Sequence, residues 1–420
     1  MPNSEDPPNE YTPQAWLVVI GASTGLFCTV GFLNSFGIFE DYYATDQLSH
    51  TSQSTIGWIG AISIFFLFSI SVFSGAIVDV FGPRLLVCTG SVLNVFAVMM
   101  VSLSKEFYQF LLSQGVLLGI SMALIVWPAL AVVGQYIKRK RAAAMGIVLA
   151  GSSLGGVVWP IAIHQLLMNP RIGFPWTMRI VGFIMIPLLA FSCIACKSPV
   201  APRTSMDGES QKNTPSQNKG VDRKAEAIAL FRRPSLQLLC LGMFFVYFGM
   251  FSPFFYTTSF ATEKGYSSDL AFYTVSIVNG ASFFGRIIPG IVADKYGKFN
   301  CCIISSLSAG IIALCWTKVD SVAGLVIWCA AYGFASGGIL SLQQACAAQV
   351  ATTSTLGLAI GSVAGSTAFS AMANVPISGA LAEKYGYLAL SLYSGVALIV
   401  GGLLLIAARL VQSRKISAIV

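Results

Sequence analysis

The stretch Ser282–Lys298, SFFGRIIPGIVADKYGK, decides how the chain is read. Its first half is apolar enough to lie in lipid, yet Arg286 stands in the middle of it. A cation at membrane depth is expensive unless something is arranged around it. The second half, GIVADKYGK from Gly290, has a counterpart in GAIVDVFGPR from Gly75. Each copy runs glycine, aspartate four residues on (Asp79, Asp294), a second glycine, then a basic residue (Arg84, Lys298). A second pair agrees: AGSSLGG (Gly151, Ser152, Gly155) recurs as IGSVAGS (Gly361, Ser362, Gly365). Both pairs lie 210 to 215 residues apart, so one repeat keeps its register across the chain. A fainter echo, GALAEKYG, begins at Gly379.

The composition around these motifs is that of a lipid-dissolved protein. Hydrophobic residues make up 55% of 420 residues and charged ones 10%, against about 25% charged in soluble domains. A spanning helix needs roughly 20 mostly apolar residues. Twelve runs qualify, at 16–38, 56–78, 85–104, 108–134, 143–163, 176–196, 236–258, 270–293, 301–317, 322–345, 355–378 and 387–408. The expected fold is an all-α membrane protein of twelve transmembrane helices in two parallel six-helix repeats. The expected divisions are a tail at 1–15, a first half at 16–196, a linker at 197–235, a second half at 236–408 and a tail at 409–420. The linker is rich in Ser, Pro, Lys, Gly and Asn, with a short AEAIALF patch suited to a surface helix. The first residues lack the basic start of a signal peptide, so the first span is expected to be retained.

Basic residues in short loops orient such a bundle. With both termini inside, the inner segments hold Arg84, Lys138, Arg139, Lys140, Arg141, eight Lys/Arg between 197 and 233, Lys295, Lys298, Arg414 and Lys415. The outer loops hold only Lys105, Arg171, Lys264, Lys318 and Lys384. Both termini are therefore expected in the cytosol, and the plasma membrane is the expected location. The net charge of +8 is mostly this bias, which leaves no support for nucleic-acid binding. The ten cysteines lie in or beside apolar runs without disulfide or zinc spacing; they read as small apolar fillers. No N-x-S/T sequon occurs.

Parallel six-helix repeats joined by a cytosolic linker are the organisation of secondary transporters of the major facilitator type, and the G-x-x-x-D-x-x-G stretch resembles that superfamily's signature between spans 2 and 3. Its physics is legible without the resemblance. Glycine lets two helices approach closely. Asp79 and Asp294 can accept bonds from helix N-termini or from basic residues such as Arg84 and Lys298. The expected conformational latch is Gly75, Asp79, Arg84, Gly290, Asp294 and Lys298, holding in one state and breaking in the other. The string YIKRKRAAAMGIVLAGSSLGG (136–156) further resembles the span-5 signature of the monocarboxylate transporter family, with Tyr136, Arg139, Arg141, Ala144, Gly146, Ala150 and Gly151 matching. Ala143 and Val148 depart from it. GFLNSFGIFEDYY, FFYTTSFA and YGFASGGILSLQQACAAQV resemble the fungal branch of that family. The family's acidic motif before span 1 is absent.

That resemblance implies a site. In the animal members, span 8 carries an aspartate four residues before an arginine, and span 1 carries a lysine. Here the arginine is Arg286, Ser282 stands at the aspartate position and Asn34 at the lysine position. The expected site charge is thus kept by Arg286 alone. Arg286 lies eight residues before Asp294, about 12 Å along the helix, close to the middle of a core roughly 30 Å thick. Its guanidinium suits a carboxylate. In the superfamily, spans 4, 7 and 10 line the cavity; they carry Trp127, Tyr247, Phe251, Tyr256 and Tyr332, which implies an aromatic cavity with one cation. The expected substrate-binding residues are Arg286, Asn34, Ser282, Tyr247, Tyr256 and Tyr332. All seventeen Asp and Glu fall in tails, loops or span ends, so His164 is the candidate proton site.

The reading is a transporter that moves a small organic molecule, an organic anion or a hydrophobic metabolite, by alternating access. Its expected partners are that cargo and membrane lipid, and it is expected to act as a monomer. Import and export share this architecture. A transport-fold sensor is the alternative, and a membrane enzyme the weaker one, because no intramembrane His/Asp/Glu cluster offers a nucleophile or metal constellation. No cofactor and no metal are expected.

Overall fold

The computed structural model describes residues 12–169, 171–198, 218–352 and 354–413. The expected tails up to residue 11 and from 414, and linker residues 199–217, lie outside the described residues. Among the described residues every regular element is helical. The first six spans are Pro13–Gln47, Thr55–Phe81, Pro83–Val101, Phe107–Tyr136, Arg141–Leu167 and Gly173–Ala195. Spans 7 and 8 are Pro234–Glu263 and Asp269–Tyr296, span 9 is the shorter Lys298–Leu314, and span 10 is Val322–Val350. The last stretch, Leu356–Gln412, breaks at Gly386, where φ is 76°. It therefore supplies spans 11 (356–385) and 12 (387–412). Ahead of span 7, Asn218–Phe231 forms a helix that contains the AEAIALF patch.

The sequence explains where these helices start and stop. Ser52, Ser267 and Ser321 accept backbone N–H bonds from Thr55, Leu270 and Gly324, which caps spans 2, 8 and 10. Pro83 and Pro234 occupy first turns, where a missing N–H costs nothing. Gly82, Gly297 and Gly386 all sit at positive φ (80°, 101° and 76°) with extended ψ. An L side chain is strained there and glycine is not. These are the second glycines of the three motif copies, so one repeated turn ends spans 2, 8 and 11.

Outward faces carry exposed Phe73, Val92, Phe183, Ile304 and Leu403, an apolar surface that lipid covers. A shallow groove of about 500 Å³ on span 6 is lined by Ile180, Phe183, Ile184, Pro187 and Leu188. It has no polar side chain and belongs to that lipid-facing surface. The chemistry lies inside, along two seams. One joins spans 2 and 11, the other spans 5 and 8.

Candidate functional site

The end that carries the aspartate motifs is closed by two backbone caps. Asp79 accepts from the Gly357 and Leu358 amides, both at 2.9 Å, at the start of span 11. Asp294 accepts from the Ala142 and Ala143 amides, at 3.1 and 2.9 Å, at the start of span 5. Each carboxylate thus sits on the positive end of a helix from the other six-helix repeat. The first glycine of each motif permits the approach. A Cβ on Gly75 would lie 2.1 Å from the Gly357 carbonyl oxygen, and one on Gly290 would lie 2.7 Å from that of Ala142. Arg141 adds a cross-tie, donating to the Ala348 carbonyl at the end of span 10 (3.1 Å) and to Gly134 (3.0 Å). Lys298 lies within electrostatic reach of Asp294 and Arg141, whereas Arg84 is exposed on the first turn of span 3.

Deeper in the spans 5 and 8 seam lies Arg286, 3% exposed. Gly146 of span 5 abuts its backbone, a Cβ there standing 2.2 Å from the Arg286 carbonyl oxygen. The guanidinium Nη1 donates to the Leu149 carbonyl and the Ser152 hydroxyl. Its Nε is buried and has no protein partner among the described residues. A buried donor left in that state is unfavourable unless water or a ligand completes it.

Span 1 reaches the same place because it is broken. Its regular helix stops at Cys28, with Thr29 at φ −99°, ψ −86°, and a second interruption falls at Asn34 and Ser35. The Phe27 carbonyl freed nearby accepts from the Trp159 indole at 2.9 Å. Asn34 donates to the Ser152 carbonyl (3.5 Å) and to the Asn279 amide oxygen (3.2 Å). Asn279 is two turns before Arg286 on span 8. Asn34, Ser152, Asn279 and Arg286 therefore form one polar group at the meeting of spans 1, 5 and 8. Broken helices that line a site at this depth are a transporter trait.

The opposite wall is aromatic. Tyr247 of span 7 is fully buried, lies within electrostatic reach of Arg286, and accepts from the Gln343 amide of span 10 at 2.7 Å. Its ring meets Phe68 of span 2 at 5.2 Å, and Phe68 meets Trp127 of span 4 at 5.6 Å. An aromatic row thus crosses from one repeat to the other. Arg286, Asn279, Ser152 and these wall residues are buried in this state, and Asn34 is half-buried.

Four expected residues stand elsewhere. Ser282 faces span 10, against Gly337, and its buried hydroxyl has no partner among the described residues. Tyr332 donates to the Met250 carbonyl at 2.7 Å and stacks on Trp328, within the packing of spans 7 and 10. Tyr256 donates to the Val375 carbonyl at 3.0 Å beside a small cavity at the end away from the aspartates. His164 packs against Phe272, ring centroids 4.8 Å apart and planes tilted by 43°. It lies eighteen residues beyond Gly146, about 27 Å along span 5. Sequence reasoning missed Asn279, Ser152 as the shared partner, and Gln343. The available signal was a carboxamide in an otherwise apolar span: Asn279 inside SIVNGASFFGR, and the Gln343–Gln344 pair in span 10.

The profile of the Major Facilitator Superfamily matches residues 15–328. The agnestins efflux protein of Paecilomyces divaricatus is 42% identical over 97% of this chain and 90% of its own length. The aspyridones efflux protein of Emericella nidulans is 38% identical over 95% of this chain and 78% of its own. Among solved structures, the human organic anion transporter MFSD10 (TETRAN) superposes with a TM-score of 0.68, covering 94% of this chain and all of that one. At 18% identity that likeness concerns the fold alone. This chain belongs to the Major Facilitator Superfamily, whose members are transporters and not enzymes.

Proposed function

We propose that this superfamily member exports a small organic metabolite that combines an aromatic or apolar body with one anionic group. The observation that carries the reading is Arg286, a buried guanidinium between the two repeats that keeps an unpartnered Nε. Neutral hydrogen-bonding groups meet it on span 5, and Tyr247, the end of the aromatic row, lies within its electrostatic reach. A carboxylate or enolate would fill the open donor, while the Trp127–Phe68–Tyr247 row would take the apolar body. Export is supported by two relatives that are efflux proteins, for agnestins and for aspyridones. The span-5 string supports placing the chain in the monocarboxylate-transporter-like branch. Its aspartate-capped end is read as cytosolic from the distribution of Lys and Arg, in the plasma membrane, with the protein working as a monomer.

The mechanism that follows is alternating access. The two caps seal the cytosolic end here. Releasing Asp79 from span 11 and Asp294 from span 5 would let the repeats rock apart and expose Arg286 to cytosolic cargo. The cargo is identified by comparing the medium of a producing strain with that of its deletion mutant, and its binding is then measured directly. In Arg286→Gln we expect affinity to fall by about 1.5–3 kcal/mol, roughly ten- to a hundredfold. In Arg286→Lys the loss of fork geometry should weaken it nearly as much. Unchanged affinity in both variants would make Arg286 a structural residue.

A further inference from the structure

At the end opposite the aspartate caps, the two repeats meet around a carboxylate that the proposed function does not use. Glu40 is carried by span 1 and is half-buried. It lines a cavity of about 50 Å³ with Phe36, Tyr256, Phe255, Ser259 and Val375, and with the glycine-rich face of span 2 at Gly57 and Gly60. Spans 1 and 2 come from the first repeat, spans 7 and 11 from the second, so the cavity lies on the line where this end must part. Gly57 leaves the carboxylate room: a Cβ there would stand 3.6 Å from Oε1.

No cation among the described residues neutralises Glu40. Among the described residues it has no ion pair and no hydrogen-bond donor. On its own span the neighbouring charges are Asp41 and Asp46, the latter engaged by the Tyr42 hydroxyl at 2.5 Å. Span 2 presents no titratable group between Gly57 and Ala61, and span 11 none between Ala371 and Ser378. Span 7 offers the Tyr256 hydroxyl, which is already donated to Val375, and Glu263 beyond it. Span 5 offers His164, packed against Phe272. The rest of the lining is three aromatic rings, two glycines, Ala61, Val375 and one serine. In such a place a closed seam suits a neutral carboxyl, and a carboxylate calls for water.

We propose that Glu40 is a protonation site that gates this end of the transporter. With the proton on, spans 1, 2, 7 and 11 close over it. When its O–H bond breaks and the proton passes to water on the far side, the hydrated carboxylate holds the seam open. The gating role rests on the alternating-access reading; the protonation itself does not.

Two measurements on the full-length protein in lipid nanodiscs separate those parts. Infrared difference spectra across a pH titration report the carbonyl stretch of a protonated carboxyl. That band is expected in the wild type, shifted in Glu40→Asp and missing in Glu40→Gln. The second uses Ser259→Cys, whose thiol faces the cavity, labelled by a polar maleimide and normalised at each pH to the unfolded chain. Labelling is expected to rise several-fold as pH rises, to stay at the low-pH level in Glu40→Gln, and to respond again in Glu40→Asp. A band that survives Glu40→Gln overturns the protonation site. A band that behaves as expected beside a labelling profile unaltered by Glu40→Gln overturns the gate. Gly57→Cys serves in place of Ser259→Cys if that variant does not fold.

Discussion

The two seams between the repeats use the same motif and do different things with it. Along spans 2 and 11 the contact is backbone on backbone for several turns. Gly75 meets Gly357, and Gly361 meets Ser71, where a Cβ would lie 2.3 Å from the carbonyl oxygen. Beyond the cap, Ser71 donates its hydroxyl to the Gly361 carbonyl at 2.7 Å. Spans 5 and 8 begin the same way, at Asp294 and Gly290, but diverge after Gly146. There Gly151 and Gly155 turn to span 1, packing on the Ser23 and Phe27 carbonyls. The space this leaves on span 5's other face is filled by Arg286, Asn279 and Asn34. One seam is a dry slide of glycines, and the other is a slide opened to admit chemistry. Internal duplication supplied two equal contacts, and the difference between them is where a site could grow.

Removing the caps tests that contrast most strongly. Each aspartate accepts two charge-assisted bonds, so Asp79→Ala or Asp294→Ala should destabilise the sealed state by about 1.5–3 kcal/mol. Turnover should fall well beyond any drop in melting temperature. Asp294→Ala should be the worse of the two. Span 5 is preceded by Lys138, Arg139 and Lys140 and opens on Arg141, cations beside a helix N-terminus that is itself positive, while span 11 is preceded by Thr352, Ser354 and Thr355. Transport rates at equal expression decide it. Equal losses would mean that the basic cluster plays no part in the latch, and normal rates in both variants would remove the latch from the mechanism.

The fold was legible in the sequence because lipid enforces it. Apolar runs of fixed length and a doubled motif both have physical causes that act on the chain locally. The aspartates were legible for the same reason, down to their two kinds of partner, although only the structure chooses backbone amides of the opposite repeat over Arg84. The site was legible only as far as its charge. Arg286 announces itself in an apolar run, but its partner Ser152 looks like any small residue of a packing motif. Asn279 is told apart from Ser282 only by which face of span 8 meets span 5. Tyr332 and Tyr247 have the same sequence signal, an aromatic on a cavity-lining span. One hydroxyl binds the Met250 carbonyl, while the other accepts from Gln343 within electrostatic reach of Arg286. Tertiary neighbours, not residue type, divide them.

Crowding the two glycine contacts should give a smaller and unequal effect. A methyl on Gly75 meets backbone at 2.1 Å, which cannot swing aside, and one on Gly290 meets it at 2.7 Å. Overpacking of this kind costs about 1–3 kcal/mol. Gly75→Ala should fall at the upper end of that range and Gly290→Ala at the lower. Melting temperatures of the purified variants in the sealed state give the order. A reversed order would mean that the spans 2 and 11 seam is the looser of the two, against the contrast drawn between them.

The smallest effect belongs to an ion pair that touches neither seam. Lys264 and Asp320 approach to 2.8 Å, with side chains 37% and 76% exposed, between spans 7 and 8 on one side and spans 9 and 10 on the other. Both belong to the second repeat. The hydrogen bond from Lys264 holds the Asp320 carboxyl below its usual range, and the same bond raises Lys264. The stability tied to Asp320 is therefore present above the unfolded carboxylate value and lost as pH falls through the lowered folded one. That tied to Lys264 is present below its unfolded value and lost as pH rises through the raised one. Between those limits the pair is formed, but water and salt screen it, and exposed pairs of this kind contribute little. Asp320→Asn should leave melting temperature and turnover unchanged at neutral pH, and added salt should not alter that result. If Asp320→Asn instead slowed turnover as Asp294→Ala does, control of switching would not reside in the seams, because this bond joins only helices that move together.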